Sequence, residues 1–232
     1  LQGLVGNPPA KKDAMSKRSS KSRSGRLRPS WLGVLIALIA VSGGLFGWQW
    51  WTQRSSAPAV SAARIAEQHS RGPETARVTI IEYGDFDCPT CKAYFNSGIL
   101  QRIQKTYPSQ VRLVFRHLPI ITPASPKLAE ASECAADQGA FWPFHDLLFE
   151  MSPTQPSQMP DLARRLGLDV VAFTSCLNSN RYAGLVQAET QEGFQHGFHA
   201  TPSFLVNGEP LVGPPSYDQL QQRIDTILQP TR

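Results

Sequence analysis

Two cysteines, Cys88 and Cys91, stand three residues apart in the run Asp85-Phe86-Asp87-Cys88-Pro89-Thr90-Cys91. At that spacing two thiols can close a small disulfide ring. The run also reads as a turn into a helix, with Pro89 suited to the first helical position. The first N–H groups of a helix lack partners and its dipole is positive there, so a thiolate at Cys88 is stabilised. Only the thiolate attacks a disulfide. Cys88 is therefore the candidate nucleophile and Cys91, about one turn further in, the candidate resolving thiol. The same spacing is half of a structural zinc site, which needs four ligands. The remaining cysteines, Cys134 and Cys176, lie far apart in the chain and form no second such pair. Redox chemistry is the favoured reading, and no metal or cofactor is expected.

The elements around the pair fit that chemistry. Arg77 to Tyr83 is a short β-branched run ended by Gly84, and reads as a strand. One helix is expected from Pro89 to about Tyr107-Pro108, followed by a strand over Val111–Arg116 that stops near Pro119. Strand, helix, strand at this length suggests a parallel βαβ unit. Residues 124 to 196 carry Ala, Leu, Glu and Gln at helical spacing, broken by Pro153, Pro156 and Pro160, and read as about four inserted helices. Strands return at Ser203–Val206 and Pro210–Val212, joined by the hairpin signal Asn207-Gly208. Tyr217 to Leu228 is a final helix, with Leu220, Ile224 and Leu228 on one stripe.

The net charge of +5 is unevenly spread. Residues 1–30 hold eight Lys/Arg against the single acid Asp13, leaving the rest of the chain at −2. The globular part therefore lacks the basic face that nucleic-acid binding requires. Trp31 to Trp51 is 21 residues without a charge, about 31 Å as a helix, enough to cross a bilayer. Trp48, Trp50 and Trp51 cluster at one end, where such rings favour the membrane interface. The expected layout is a basic cytoplasmic tail (1–30), a transmembrane anchor (31–51), a linker (52–75) with one short helix at Ala62–His69, and a globular domain (76–232). The positive tail places the domain outside the cytoplasm, on the periplasmic or equivalent side of the cytoplasmic membrane. A cleaved leader ending near Ala57-Pro58-Ala59 is the alternative. An exported location permits disulfides. Cys134 and Cys176, both in helical segments and with no other partner, are then expected to bond each other, the alternative being two buried free thiols.

Three segments in order resemble one family: I-I-E-Y-G-D-F-D-C-P-T-C-K, A-S-E-C-A-A-D-Q-G-A-F-W-P-F-H-D-L-L-F and T-P-S-F-L-V-N-G. They look like a DsbA-like oxidoreductase over roughly residues 72–230. The resemblance implies an α/β thioredoxin fold, a central mixed β-sheet flanked by helices, interrupted by a helical domain. It implies that Cys88 is the exposed nucleophile, Cys91 its buried partner, and Pro89 and Thr90 the tuning residues between them. Pro202 matches a cis-proline lying against the disulfide, and Thr201 would offer backbone bonds to a substrate chain. Glu82, six residues before Cys88, matches a buried acid that assists proton transfer at the inner thiol, unless it is a strand residue facing solvent. His117 and His145 are expected to be structural. His196 and His199 precede the Thr201-Pro202 loop and are candidates to border the site. Asp85 and Asp87 read as turn residues, Asp87 opposing a neighbouring thiolate.

The expected function is disulfide oxidation on exported cysteine-containing proteins, with a membrane quinone-linked redox partner implied by the resemblance. A reductase or isomerase is the alternative in the same class. A tethered non-catalytic binding module or chaperone is the alternative outside it.

Overall fold

The computed structural model describes residues 69–151 and 154–229. The basic tail, the span expected over 31–51 and residues 52–68 of the linker, with all but the last residue of the short helix expected there, lie outside the described residues. Among the described residues no helix is long and apolar enough to cross a membrane.

Five strands form one mixed sheet in the order β1-β3-β2-β4-β5. These are β1 (Ser70–Arg71), β2 (Val78–Gly84), β3 (Val111–His117), β4 (Ser203–Val206) and β5 (Glu209–Val212). The central pair β2 and β3 is parallel, with Glu82 opposite Phe115 and Gly84 opposite His117. Strand β4 runs antiparallel on the other side of β2, and β5 follows it through Asn207 and Gly208. Both turn residues have positive φ, 47° and 87°, as a two-residue hairpin of this hand requires. Asn207 also fastens the turn to the start of β2, accepting from the Thr79 N–H at 2.7 Å and donating to the Arg77 carbonyl at 2.9 Å.

Strand β1 falls within the stretch expected to be linker. Two residues are too few to leave a periodic pattern, and side chains from elsewhere hold them in place. Arg112 donates to the Ser70 hydroxyl at 2.7 Å, Trp142 donates to the Ser70 carbonyl at 3.2 Å, and the Phe115 N–H reaches the His69 carbonyl at 3.0 Å. The folded domain therefore begins by His69, which is fully buried.

The single helix expected after Cys88 is two: α1 (Pro89–Asn96) and α2 (Ile99–Thr106). Gly98 between them takes a left-handed conformation, φ 70°, which glycine adopts at least cost. Ser97 joins the break by turning its hydroxyl back onto the Tyr94 carbonyl at 2.6 Å. Helix α2 lays Ile103 into a core with Val78, Ile80, Val111 and Leu113, closed on the same side by α8 (Tyr217–Leu228) through Leu220 and Ile224. A capping box starts α8: Gln219 N–H donates to Ser216 at 3.2 Å, and Ser216 N–H to the Gln219 side chain at 2.8 Å.

Between β3 and β4 the described chain forms five α-helices and a short 3₁₀ turn (Pro156–Gln158), against the four helices expected. They are α3 (Ser125–Ala136), α4 (Phe141–Glu150), α5 (Met159–Arg165), α6 (Val170–Asn178) and α7 (Ala183–Gln195). Helix α3 is buried along most of its length and carries Cys134 into a disulfide with Cys176 of α6, Cα–Cα 5.8 Å. Phe144, Leu148, Phe149 and Phe173 fill the surrounding core together with Phe86 and both active thiols.

Candidate active site

Strand β2 ends at Gly84, where nothing larger fits: a Cβ there would lie 2.6 Å from the Phe115 ring. The chain then turns through Asp85, whose buried carboxylate accepts from Asp87 N–H and Ile121 N–H, both at 2.8 Å. Its own carbonyl accepts from Cys88 N–H at 3.1 Å. Asp87 accepts from the Thr122 hydroxyl at 2.8 Å. Two short loops are thus pinned to each other before the helix starts. Sequence reading gave Asp85 only a turn role; its second partner lies 36 residues away, where local pattern carries no signal.

Cys88 is the N-cap of α1, its sulfur accepting from the Cys91 N–H at 3.4 Å. Its thiol also donates to the Thr201 carbonyl at 3.3 Å. The Thr201–Pro202 peptide bond is cis. Hydrogen bonding to the Cys91 side chain pushes the Cys88 pKa down to about 5, helped by the Thr201 side chain and the Thr90 and Cys91 amides, against burial that pushes it up. Burial drives Cys91 the other way, strongly upward, with the hydrogen bond to Cys88 and the charge of Glu82 adding to it. Two neighbouring thiols with pKa values forced apart make one thiolate nucleophile and one proton-bearing thiol.

The expectation of an exposed nucleophile needs correction. Cys88 is 3% exposed and Cys91 0%; capping the helix and bonding Thr201 draw the Cys88 sulfur under the proline loop. Pro89 and Thr90 are the exposed residues of the motif. Asp87 does not stand unopposed beside the thiolate, because Lys92 of α1 lies 3.8 Å from it and donates to Thr154 at 2.8 Å. Glu82 faces inward on β2 rather than into solvent, and burial together with the Cys88 charge raises its pKa to about 8. Thr201 is buried beside the Cys88 sulfur.

His196 and His199 are exposed and do not reach the thiols; their rings lie against Tyr83 at 6.0 Å and Phe194 at 5.4 Å. His117 and His69 are buried and share Glu133, at 2.6 Å and 2.9 Å. The two imidazoles hold the Glu133 carboxyl down at about 2 against its burial. His69, His117 and Glu189 bring possible metal-ligand atoms within 4.8 Å of one another. The Glu189 oxygens are already taken, by Arg116 at 2.6 Å and the His117 N–H at 2.8 Å, and both imidazoles by Glu133. Nδ1 of each imidazole has no partner, and the cluster is a buried ionic network centred on Glu133 and Glu189.

A family model described as thioredoxin matches residues 65–226. The chain belongs to the thioredoxin family. Disulfide bond formation protein D of Bacillus subtilis is 30% identical over 71% of this chain and 78% of its own length. The crystal structure of oxidised BdbD from Bacillus subtilis superposes with a TM-score of 0.64 at 29% identity, covering 71% of this chain and 94% of that one. Pseudomonas aeruginosa DsbA2 gives 0.59 at 28% identity, covering 69% and 93%. A relative named Na(+)/H(+) antiporter NhaA, from Herminiimonas arsenicoxydans, is 32% identical over 88% of this chain, which spans 33% of that protein's length. The thioredoxin-family fold, with DsbA-like thiol:disulfide oxidoreductases as structural neighbours, agrees with the fold read from the sequence.

Proposed function

We propose that this chain catalyses thiol–disulfide exchange on cysteine-containing polypeptides, in the oxidising direction, with Cys88 as nucleophile and Cys91 as resolving thiol. The observation that supports it most is the divided pair: Cys88 lowered to about 5 at a helix start, Cys91 held protonated directly behind it. A substrate thiolate attacks Cys88 in the Cys88–Cys91 disulfide, and Cys91 departs, taking a proton from Glu82. A second substrate thiolate then attacks the substrate sulfur of the mixed disulfide and forms the new disulfide, releasing Cys88 as a thiolate. A thiolate with so low a pKa is a good leaving group. The carbonyl of Thr201, beside the cis peptide and 3.3 Å from the Cys88 sulfur, lies where an extended substrate backbone could run alongside.

The basic tail and the uncharged 21-residue run support tethering to the outer face of a cytoplasmic membrane, where a quinone-linked membrane protein would reoxidise the pair. Equilibration with glutathione tests direction: the proposal requires a potential well above the roughly −270 mV of thioredoxin. A potential as low as thioredoxin's makes the protein a reductase. Loss of exchange in Cys88→Ser is required by either direction, and unchanged function in that variant would mean a non-catalytic binding module. A membrane-impermeant thiol reagent should label reduced Cys88 in intact spheroplasts; labelling only after lysis would reverse the topology.

A further inference from the structure

His145 of α4 is 3% exposed, and its Nδ1 lies 2.8 Å from the Asp146 carboxylate. A carboxylate only accepts, so Nδ1 carries the proton and Nε2 presents a lone pair. That lone pair is buried and has no partner. Beside it opens a cavity of about 30 Å³ lined by Glu82, His145, Arg71, Trp142, Phe95 and Phe115. The volume suits one water molecule, and the Glu82 carboxyl and His145 Nε2 supply the polar partners such a water needs. Asp146 and its ion-pair partner Arg71, 2.6 Å apart, have side chains 32% and 30% exposed, so the carboxylate at Nδ1 is open to solvent. Asp146, Arg71 of β1, His117 of β3 and Glu82 of β2 are the charged and titratable groups around it. Burial keeps the imidazole neutral, with its pKa lowered to about 4.

We propose that one water in this cavity links Glu82 to His145 Nε2, and that His145 with Asp146 passes protons between solvent and the Glu82 carboxyl. The inference rests on the thiol–disulfide reading above, since only exchange at Cys91 obliges Glu82 to turn over its proton. When the Cys91 sulfur attacks a mixed disulfide at Cys88, the bond to the partner sulfur breaks and its electron pair leaves with that sulfur. The Cys91 proton goes to Glu82, which hands one to the water and on to Nε2, while Nδ1 releases its own to Asp146 and solvent. When the disulfide is reduced again, Cys91 needs a proton back, and the same path runs in reverse. The two halves of the cycle restore the starting tautomer. His145 acts through Glu82, and touches neither sulfur.

His145→Phe keeps a ring among Phe86, Phe115 and Phe149 and removes both nitrogens; Asp146→Asn leaves the imidazole in place. Two readouts are needed. The first is the rate at which the Glu82 carboxyl infrared band, identified by its loss in Glu82→Gln, shifts after transfer to D2O. The second is the single-turnover rate of a dithiol peptide in H2O and D2O. His145→Phe should slow both by about tenfold and enlarge the solvent isotope effect. Asp146→Asn should slow both less, with the Cys88 titration and the potential unchanged in each variant. A Glu82 band that exchanges as fast in His145→Phe as in wild type overturns the relay. So does a slower turnover matched by a shifted Cys88 titration, which would mark a packing role. Slowed carboxyl exchange in a protein that oxidises no peptide would uphold the relay and remove the proposed function instead.

Discussion

The thiolate at Cys88 fixes how the redox couple responds to pH. With Cys88 at about 5 and Cys91 far above the ordinary thiol value, the reduced protein at neutral pH holds one thiolate and one thiol. Below pH 5 both sulfurs of the dithiol are protonated, so reduction takes up two protons with two electrons and the potential falls by about 59 mV per pH unit. Above pH 5 only Cys91 takes a proton, and the slope halves to about 30 mV per unit. At pH 7, two units above that pKa, ionisation favours the reduced form by about 2.7 kcal/mol. This corresponds to about 60 mV of added oxidising potential. The same ionisation stabilises the folded dithiol above the ordinary value of 9.0, and this contribution is lost as pH falls through about 5. The assay is equilibration with glutathione at steps from pH 4 to 7, alongside thiolate absorbance. Cys91→Ala removes the largest contribution and should carry the Cys88 titration back toward the free value of about 8.5. A slope near 59 mV through the whole range, or a wild-type titration already near 8.5, refutes the reasoning.

Two further outcomes concern the scaffold. Replacing Cys134 and Cys176 together by alanine opens a loop of sequence separation 42 and should cost about 4 kcal/mol at most by chain entropy, with the Cys88 titration unmoved; urea unfolding reads the first and thiolate absorbance the second. Glu133→Gln leaves the His69 and His117 imidazoles without their carboxylate and should cost about 3–5 kcal/mol at neutral pH. Because the Glu133 pKa is depressed to about 2 from 4.5, the stability difference should be full above pH 4.5 and fade as pH falls through 2; acid unfolding curves of the two proteins check it.

Local pattern made much of this architecture legible. β-Branched runs marked β2, β3 and β4, Asn207-Gly208 marked the hairpin, and Cys88-Pro89 marked a helix start with a sulfur at its cap. What local pattern does not carry is what distant residues settle. The reach of Asp85 to Ile121, the shared carboxylate of Glu133 between His69 and His117, and the pairing of Ser70 with Val114 each join segments far apart in sequence. The break between α1 and α2 did have a local signal in Ser97-Gly98, masked by apolar residues that kept helical spacing across it. The withdrawal of Cys88 beneath Thr201 depends on a loop 113 residues away, which no spacing near the cysteines reports.

Strand β1 also determines where mechanical tension would enter the domain. A pull on the chain ahead of His69 would meet a strand of two residues, which by backbone bonds alone would peel from β3 with little resistance. Two side chains reinforce it. His69 is stacked on Phe141 at 3.9 Å and bonded to Glu133, while Arg71 is paired with Asp146 and lies 4.1 Å over the Trp142 ring. Each of these partners belongs to α3 or α4, so force is handed to the helical insertion. Phe86, in the loop that carries Cys88, packs on His145 and Phe149 of α4, so a leash held from this end would pull on the helix that backs the reactive sulfur.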